Sequence, residues 1–329
     1  MTTPETSDSL NSETKIKSIA AGGGRITLAV HGTKAVFEDL SAAYPLKLLS
    51  PRINEPRVGV VYLLSYGGGL VAGDQVELDV VLKERSCLLV LSQGSTKVFK
   101  TRSGQRLASI RPNGTGASDD SLTTQTIRYT INSKSTLLLL PDPVTCFRSA
   151  SYNQIQTFNV TPDGSFVILD WLTSGRKALD EDWAFTRYYS ENEIFIGGRR
   201  WARDVMLLEG DNEDGEHLEG VVPSRRFLAE KLAPYSCYAM VLLYGREVEK
   251  IIDNLRVTFE MITVFKRREP EDLIWSFSPA CNASPIGLGT GAIVRIAGTE
   301  TDVVKVWLKE RLRGLEEIVG PDVYRKAWR

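Results

Sequence analysis

The hydrophobic pattern over residues 25–243 is mostly that of β-strands. Short apolar stretches are bounded by Gly, Pro, Ser or Asn, and several alternate with period two, as at Val76, Leu78 and Val80. Residues 137–140 are continuously apolar, which indicates a strand buried on both faces. The predicted strands read RITLAVHG, VGVVYLLSY, QVELDVVL, SCLLVLSQ, TIRYTIN, STLLLLP, SFVILDWL and WAFTRYYS. No helical crossovers separate them and no fixed-period repeat relates them, so we predict a mainly β fold.

Helical spacing of apolar residues is confined to the C-terminal part of the chain. It runs over residues 246–268 and again over residues 300–320. Thr301 is placed to cap the second helix, and Gly320-Pro321 predicts where that helix stops. The apolar face of the first predicted helix comprises Val248, Ile251, Ile252, Leu255, Phe259 and Ile262, and that of the second comprises Val304, Trp307, Leu308, Leu312 and Leu315.

These patterns predict a single domain over residues 25–329, with two α-helices in its C-terminal half. Residues 1–24 carry neither pattern and predict a flexible N-terminal tail. The segments 111–121 and 211–219 are dominated by small and polar residues, which is typical of surface loops rather than of domain linkers.

Composition excludes several classes of protein. With 42% hydrophobic residues and a net charge of -1, the chain has an ordinary globular composition and no basic footprint for nucleic acid or a membrane surface. It has no signal-peptide pattern and no apolar run of about 18 residues, so we predict a cytoplasmic protein with no membrane span. The widely spaced cysteines predict reduced, buried thiols. They are Cys87, Cys146, Cys237 and Cys281.

Two histidines, His31 and His217, limit the chemistry further. They cannot build a His-rich metal site, and the chain has neither an H-E-x-x-H motif nor a G-x-S-x-G elbow. We therefore predict no catalytic residues and no permanently bound cofactor.

The segment SYGGGLVAGDQVELDV, residues 65–80, formally fits a dinucleotide-binding fingerprint. That fingerprint requires a helix after the glycines, whereas an alternating strand follows here. The pattern predicts instead a strand–turn–strand hairpin whose glycines adopt positive φ, with Asp74 bonded to the amides of the turn.

Four ordered motifs resemble those of the urease accessory protein UreD (UreH) family. They are GGGLVAGD at 67–74, SQGSTKVFK at 92–100, LPDP at 140–143 and DWLTSGRKALDEDW at 170–183. Ser92 and Phe99 replace the usual Thr and Tyr, and Asp180 stands where the family usually has Gly. The motif residues that we select as structural are Gly67, Gly68, Gly69, Gly73, Gln93, Thr96, Lys97, Gly175 and Arg176.

The resemblance implies a urease accessory protein rather than an enzyme. Members of this family form a scaffold with a UreF-type accessory protein and a UreG-type GTPase. This complex docks on apo-urease and helps to deliver nickel. The implied fold is a β-helix-like stack of strands with two helices, through which a tunnel has been proposed as the route of the metal. The resemblance also implies a contact with UreF in the C-terminal part of the chain.

Carboxylates in or beside these motifs are candidates for a transient nickel path. We select Glu181 first, as an edge carboxylate outside the core, followed by Asp142, Asp74 and Asp180. Asp170 is a candidate buried partner for Arg176. Cys146 is interpreted as a core residue rather than a ligand.

Two alternatives remain open from the residues alone. A β-solenoid carbohydrate-active enzyme would need paired carboxylates in a groove, and the adjacent Asp180 and Glu181 would point to opposite faces of a strand. A cofactor-dependent oxidoreductase is disfavoured by the strand that follows the glycines.

Overall fold

The computed structural model describes residues 19–100, 122–210, 227–263, 272–280 and 290–328, and the protein is mainly β. The strands are β1 Gly23–His31, β2 Lys34–Ala42, β3 Leu46–Leu49, β4 Val58–Ser65, β5 Gln75–Leu82, β6 Cys87–Ser92, β7 Thr96–Val98, β8 Thr123–Ile131, β9 Thr136–Leu139, β10 Val144–Cys146, β11 Ser151–Val160, β12 Ser165–Thr173, β13 Arg187–Ile196, β14 Arg199–Glu209, β15 Cys237–Tyr244, β16 Leu273–Pro279 and β17 Gly291–Gly298.

The strands form two sheets that pack on each other. Sheet A has seven strands in the order β14-β13-β11-β8-β5-β1-β2. Sheet B follows the order β16-β17-β15-β12-β9-β6-β4-β3, with β7 and β10 attached beside β12. Side chains from the inner faces of both sheets form one hydrophobic core.

The chain crosses repeatedly from one sheet to the other. From β4 to β13 the long strands alternate between sheets B and A, and neighbours within each central region are parallel. Antiparallel pairs lie at the edges, namely β1–β2, β13–β14, β3–β4 and β12–β15–β17–β16. The sheets are thus mixed, so the predicted β-helix-like stack is not confirmed beyond its mainly β character, and the fold is not a solenoid.

Tight turns and long connections lie at opposite ends of the strands. Residues 83–86, 132–135 and 161–164 form tight turns at one end, which we call the turn end. Ser86 and Ser135 end the first two turns, Ser165 follows the third, and all three are buried. Ser135 Oγ donates to the carbonyl of Lys83 at 2.7 Å. The amide of Ser165 donates in turn to the carbonyl of Ser135 at 2.9 Å. The longer connections carry the sequence motifs, and we call their end the motif end.

Burial explains the two hydrophobic patterns. Val76, Leu78 and Val80 of β5 are buried between the sheets, whereas the other face of β5 is turned to solvent. This explains the alternation with period two. In β9, Leu137 faces sheet A, whereas Leu138 faces the helices that cover the outside of sheet B. The prediction of a strand buried on both faces is therefore confirmed.

The helices are α1 Leu228–Leu232, α2 Glu249–Thr263, α3 Thr301–Arg311, α4 Glu316–Val319 and α5 Pro321–Ala327. Helix α2 confirms the first predicted helix, although residues 264–268 lie outside the described residues. The second predicted helix, over 300–320, is divided: α3 ends at Arg311, a 3₁₀ turn follows, and α4 continues to Val319, before the predicted stop at Gly320. Gly320 has φ of 79° and ends α4, but Pro321 begins α5, because its fixed φ suits the first position of a helix. Glu300, not Thr301, occupies the N-cap position of α3.

Several boundaries differ from the predictions. Strand β11 alternates inward and outward but carries polar residues on both faces, and it was not predicted. The strand predicted over 183–190 begins only at Arg187, because Trp183 has φ of 53° and breaks the extended chain. Strand β1 begins at Gly23, inside the predicted tail, and the predicted loops 111–121 and 211–219 lie outside the described residues. Among the described helices, none is long and apolar enough to span a membrane.

Candidate functional site

The four sequence motifs meet at the motif end. Leu70 donates its amide to the carbonyl of Lys97 at 2.8 Å, and Phe99 donates back to Leu70 at 2.9 Å. Strand β7 pairs in parallel with β10, which pairs in parallel with the end of β12. Segments 67–74, 96–99, 140–147 and 172–183, which we call the motif ladder, therefore form one continuous site from distant parts of the chain.

The glycine segment crosses between the two sheets. It connects β4 of sheet B to β5 of sheet A, so the predicted hairpin is wrong: the two strands never pair. Gly67, Gly68 and Gly73 have φ of 75°, 80° and 82°, which confirms positive φ at these positions. Gly69 is extended with φ of 172°, and it is required for another reason. A Cβ there would lie 2.7 Å from the carbonyl oxygen of Lys97.

Asp74 closes this crossover from within. Its carboxylate accepts the amide of Val71 at 2.8 Å, and its own amide donates to the carbonyl of Val71 at 2.9 Å. Asp74 is 3% exposed. Asp74 therefore bonds a turn amide as predicted. Thr123, which the sequence reasoning missed, supports the same turn by accepting the amide of Gly73 at 3.2 Å.

Asp142 ties the second motif to the third. One carboxylate oxygen accepts the amide of Gly94 at 3.0 Å, and the other lies 3.5 Å from Nζ of Lys305 on α3. The amide of Asp142 donates to Oγ of Ser92 at 2.8 Å. The ammonium group of Lys305 thus balances the negative charge of the Asp142 carboxylate, which remains partly accessible to solvent. Within the same connection, Gln93 and Lys97 are exposed and Thr96 is half-buried.

Glu181 is the most tightly held carboxylate of the motif ladder. Nε and Nη2 of Arg176 donate to its two oxygens at 2.7 and 2.5 Å, and the amide of Arg148 adds a third bond at 3.4 Å. The Arg176 guanidinium holds the pKa of the Glu181 carboxyl below its usual range. Since Glu181 is only 7% exposed, the expectation of an edge carboxylate outside the core is wrong. Arg176 pairs with Glu181, and not with Asp170.

The backbone around this ion pair is specialised. Gly175 has φ of 128°, and a Cβ there would lie 2.3 Å from the carbonyl oxygen of Glu181. Asp180 is left-handed, with φ of 53° and ψ of 35°, which explains why the family it resembles usually has glycine at this position. Asp180 and Glu181 follow a 3₁₀ turn rather than lying in a strand, and the Asp180 side chain is exposed.

A cavity of about 70 Å³ lies between the sheets and reaches the motif ladder. Ser92, Thr96 and Asp142 line it at the motif end, and Asp170 lines it in the interior. Its sheet A wall carries Gln125, Gln154 and Gln156, which point inward from strands whose other inward residues are mostly apolar.

Asp170 is the central polar group of this interior, and the sequence reasoning did not select it for the metal path. Ser190 and Asn192 both donate to Oδ2 of Asp170 at 2.6 Å, and Gln154 donates to Oδ1 at 3.0 Å. Burial raises the pKa of the Asp170 carboxyl, and these three hydrogen bonds oppose the rise only in part. The signal that points to this site is the run of inward-facing amides in YNQIQTF, since such residues are costly in an apolar core without polar partners.

The thiols are poorly suited to bind a metal. Burial raises the pKa of Cys237 to about 12 and that of Cys146 further, so both are protonated at neutral pH. The interpretation of Cys146 as a core residue is confirmed, and Cys281 and His217 lie outside the described residues. In the part of the chain that the structure describes, no group of three or more His, Cys, Asp or Glu side chains is arranged to hold a metal ion.

Comparisons with known proteins agree with the motif ladder. The family model described as UreD urease accessory protein matches residues 21–329. The chain is 37% identical to urease accessory protein 4 of Cryptococcus neoformans var. grubii over 94% of this chain and 95% of that protein. It is 30% identical to urease accessory protein D of Oryza sativa subsp. japonica, covering 93% and 94% of the two chains. It is 29% identical to urease accessory protein UreD of Sorangium cellulosum, covering 94% and 85%.

Proposed function

The chain belongs to the UreD family of urease accessory proteins, and we propose that it acts in urease maturation as a non-catalytic accessory protein through which nickel passes. The observation that carries the proposal is the cavity that reaches from Asp142 at the motif ladder to Asp170 in the interior, with polar side chains in an otherwise mostly apolar lining. Nickel is the cargo of this path rather than a resident cofactor.

The chemistry of the path favours transit over storage. Carboxylate and amide oxygens bind divalent nickel more weakly than imidazole does. Each tenfold gain in affinity adds about 1.4 kcal/mol to the free energy that the ion needs to leave its site. Asp170 supplies one negative charge, and the side chains that donate hydrogen bonds to it are neutral. Because the pKa of its carboxyl is raised, a proton competes with the metal ion for this carboxylate. A cation held in this way is released readily.

The predicted path residues divide into two groups. Asp142 and Asp170 line the cavity, and we assign both to the path. Asp74 and Glu181 bond backbone amides and Arg176, and we assign them to holding the wall of the site. Asp180 is exposed next to that wall and lies outside the cavity lining, so we give it no ligand role.

We propose that the partners are a UreF-type protein, a UreG-type GTPase and apo-urease, in the cytoplasm. Exposed apolar side chains in the C-terminal part support a protein contact there, since an apolar patch in water favours association. They are Val257, Ile274 and Val306, each more than half exposed. This region agrees with the UreF contact that the resemblance implies.

The alternative functions receive no support from the described residues. Strand β5 follows the glycines where an oxidoreductase of the dinucleotide-binding class needs a helix. Both oxygens of Glu181 are bonded to Arg176, so this carboxylate is not free to act as half of a glycosidase pair.

The test is activation of apo-urease at limiting nickel by the full chain together with its UreF-type and UreG-type partners. We expect Asp142→Asn combined with Asp170→Asn to co-purify with the partners but to activate urease slowly, with partial recovery in excess nickel. The matched control is Asp79→Asn, which removes an exposed carboxylate on the outer face of sheet A.

Three outcomes would count against the proposal. Full activation by the double variant at limiting nickel removes both carboxylates from the path. Failure to co-purify makes them structural. Activation that is independent of this chain refutes the role in maturation.

A further inference from the structure

A second cleft, of about 540 Å³, lies on the helical side of the protein. Helix α5, the end of α3 and the segment that leads into β4 contribute its walls. It shares no lining residue with the interior cavity, so it is separate from the proposed metal path. We call it the C-terminal cleft.

Positive charge is concentrated in the C-terminal cleft. Arg52, Lys309 and Lys326 line it, and none of them forms an ion pair with another residue that the structure describes. Arg325 also lines the cleft but is paired with Asp322. Four cations against one carboxylate leave three positive charges, in a chain whose net charge is -1.

Helix electrostatics explain only part of this arrangement. Lys309 and Lys326 lie in the last turns of α3 and α5, where a cation is favourable beside the partial negative charge of the helix end. Arg52 is not on a helix, yet it lines the same cleft. Three unpaired cations around one volume repel each other, and a bound anion would convert that repulsion into attraction.

The size and chemistry of the cleft define the class of anion. Its volume is typical of a small-molecule site, which spans about 300–1,000 Å³. The planar guanidinium of Arg52 and the two ammonium groups suit phosphate oxygens. Val323 and Trp328 add an apolar part to the wall. We propose that the C-terminal cleft binds a small molecule that carries at least two linked phosphate groups.

The test is calorimetric titration of the full chain with inorganic pyrophosphate, and it requires neither nickel nor urease. We expect one saturable site. Arg52→Ala combined with Lys326→Ala should weaken binding by about tenfold or more, since it removes two of the three unpaired cations. The control is Arg57→Ala combined with Lys231→Ala, which removes the same charge from exposed positions outside the cleft and should bind as the parent does.

Lys309→Gln keeps the test decisive if the double variant does not fold. It removes one cation from the exposed side chain and leaves the backbone carbonyl that accepts the Tyr324 hydroxyl. Absence of saturable binding, or equal loss of binding in the control pair, overturns the proposal. A hexaglutamate peptide that binds the cleft more tightly than pyrophosphate also overturns it, in favour of an acidic protein segment as the ligand.

Discussion

The Arg176 guanidinium spans both oxygens of the Glu181 carboxylate while its carbon lies 3.9 Å from the centroid of the Phe147 ring. This arrangement fixes the block 175–183 against β10, and it makes the pair part of the framework of the site. Glu181, which the sequence analysis selected first for the metal path, thus acts on the geometry of the motif ladder together with Arg176.

Glu181→Gln should lower the free energy of unfolding by about 1–2 kcal/mol. The change removes a charged, largely buried partner, but the exposed side of Arg176 lets solvent screen part of the interaction. The measurement is urea denaturation at neutral pH. Asp180→Asn, which changes an exposed carboxylate next to it, is the control and should unfold as the parent does.

The same pair makes a prediction about pH. The pKa of Glu181 is lowered from 4.5 in the folded protein, so the unfolded chain binds the proton more tightly. The stabilisation is therefore complete above pH 4.5 and is lost as the pH falls through the lower folded pKa. The difference in stability between parent and Glu181→Gln should shrink on acidification, and a difference that grows would contradict this assignment.

Asp180→Gly should stabilise the protein by up to about 1 kcal/mol. A residue with a Cβ is strained at φ of 53°, and glycine relieves that strain at some cost in the entropy of the unfolded chain. Ala178→Gly in the same 3₁₀ turn is the matched control and should destabilise by about 0.5–1 kcal/mol, because Ala178 has no positive φ. Equal effects of the two changes on the melting temperature would show that φ is not the cause.

Gly68 and Gly69 should tolerate different substitutions. At Gly68 a Cβ meets nothing within 4 Å, so Gly68→Val suffers only backbone strain of about 1–2 kcal/mol, and Gly68→Asn should suffer less. Gly69→Ala has no such strain, but its Cβ would push the Lys97 carbonyl of β7 away. We expect the lower melting temperature and soluble yield from Gly69→Ala. Melting of that variant like the parent would rule out the close contact.

Asp170→Asn should change the pH dependence in the opposite direction from Glu181→Gln. Burial raises the folded pKa of Asp170 above 3.8, so the folded protein binds this proton more tightly than the unfolded chain. The charge therefore destabilises the parent as the pH rises from 3.8 through the folded pKa. Relative to Asp170→Asn, the parent should gain stability on acidification through that window. A constant difference over the same range would place the Asp170 carboxylate in an aqueous environment.

The period of the apolar residues predicted the strands, but not the sheet to which each strand belongs. A hairpin and a crossover both need glycines at positive φ, so Gly67 and Gly68 look the same in either arrangement. The repetition in the fold was also hidden from the sequence. Ser86, Ser135 and Gly164 occupy equivalent places at the ends of the tight turns, since Cys87, Thr136 and Ser165 follow them in register. The connections between these turns differ in length, so no fixed period appears.

The site was only partly predictable for a related reason. Motif spacing brought the right segments together, whereas the burial of Glu181 depends on where the side chain of Arg176 reaches in three dimensions. Asp170 lies in an apolar stretch of β12, and its carboxylate accepts hydrogen bonds from side chains of β11 and β13. These two strands precede and follow β12 in the chain but belong to the opposite sheet. The amides of YNQIQTF indicate that β11 faces a polar group, but they do not identify Asp170 as that group.

The alternation of strands between the two sheets also affects how the protein folds. No central parallel strand pairs with the strand that precedes it in the chain, because that strand belongs to the opposite sheet. Two neighbouring parallel strands can therefore pair only after the chain has formed a strand of the other sheet between them. Pairings of this kind carry a large loop-closure entropy and form slowly. Until β14 and β15 arrive, the last parallel strands present open edges to other chains. The antiparallel strands at the borders cover these edges. Most of the chain must therefore be synthesised before the parallel strands are protected from pairing with other chains and aggregating.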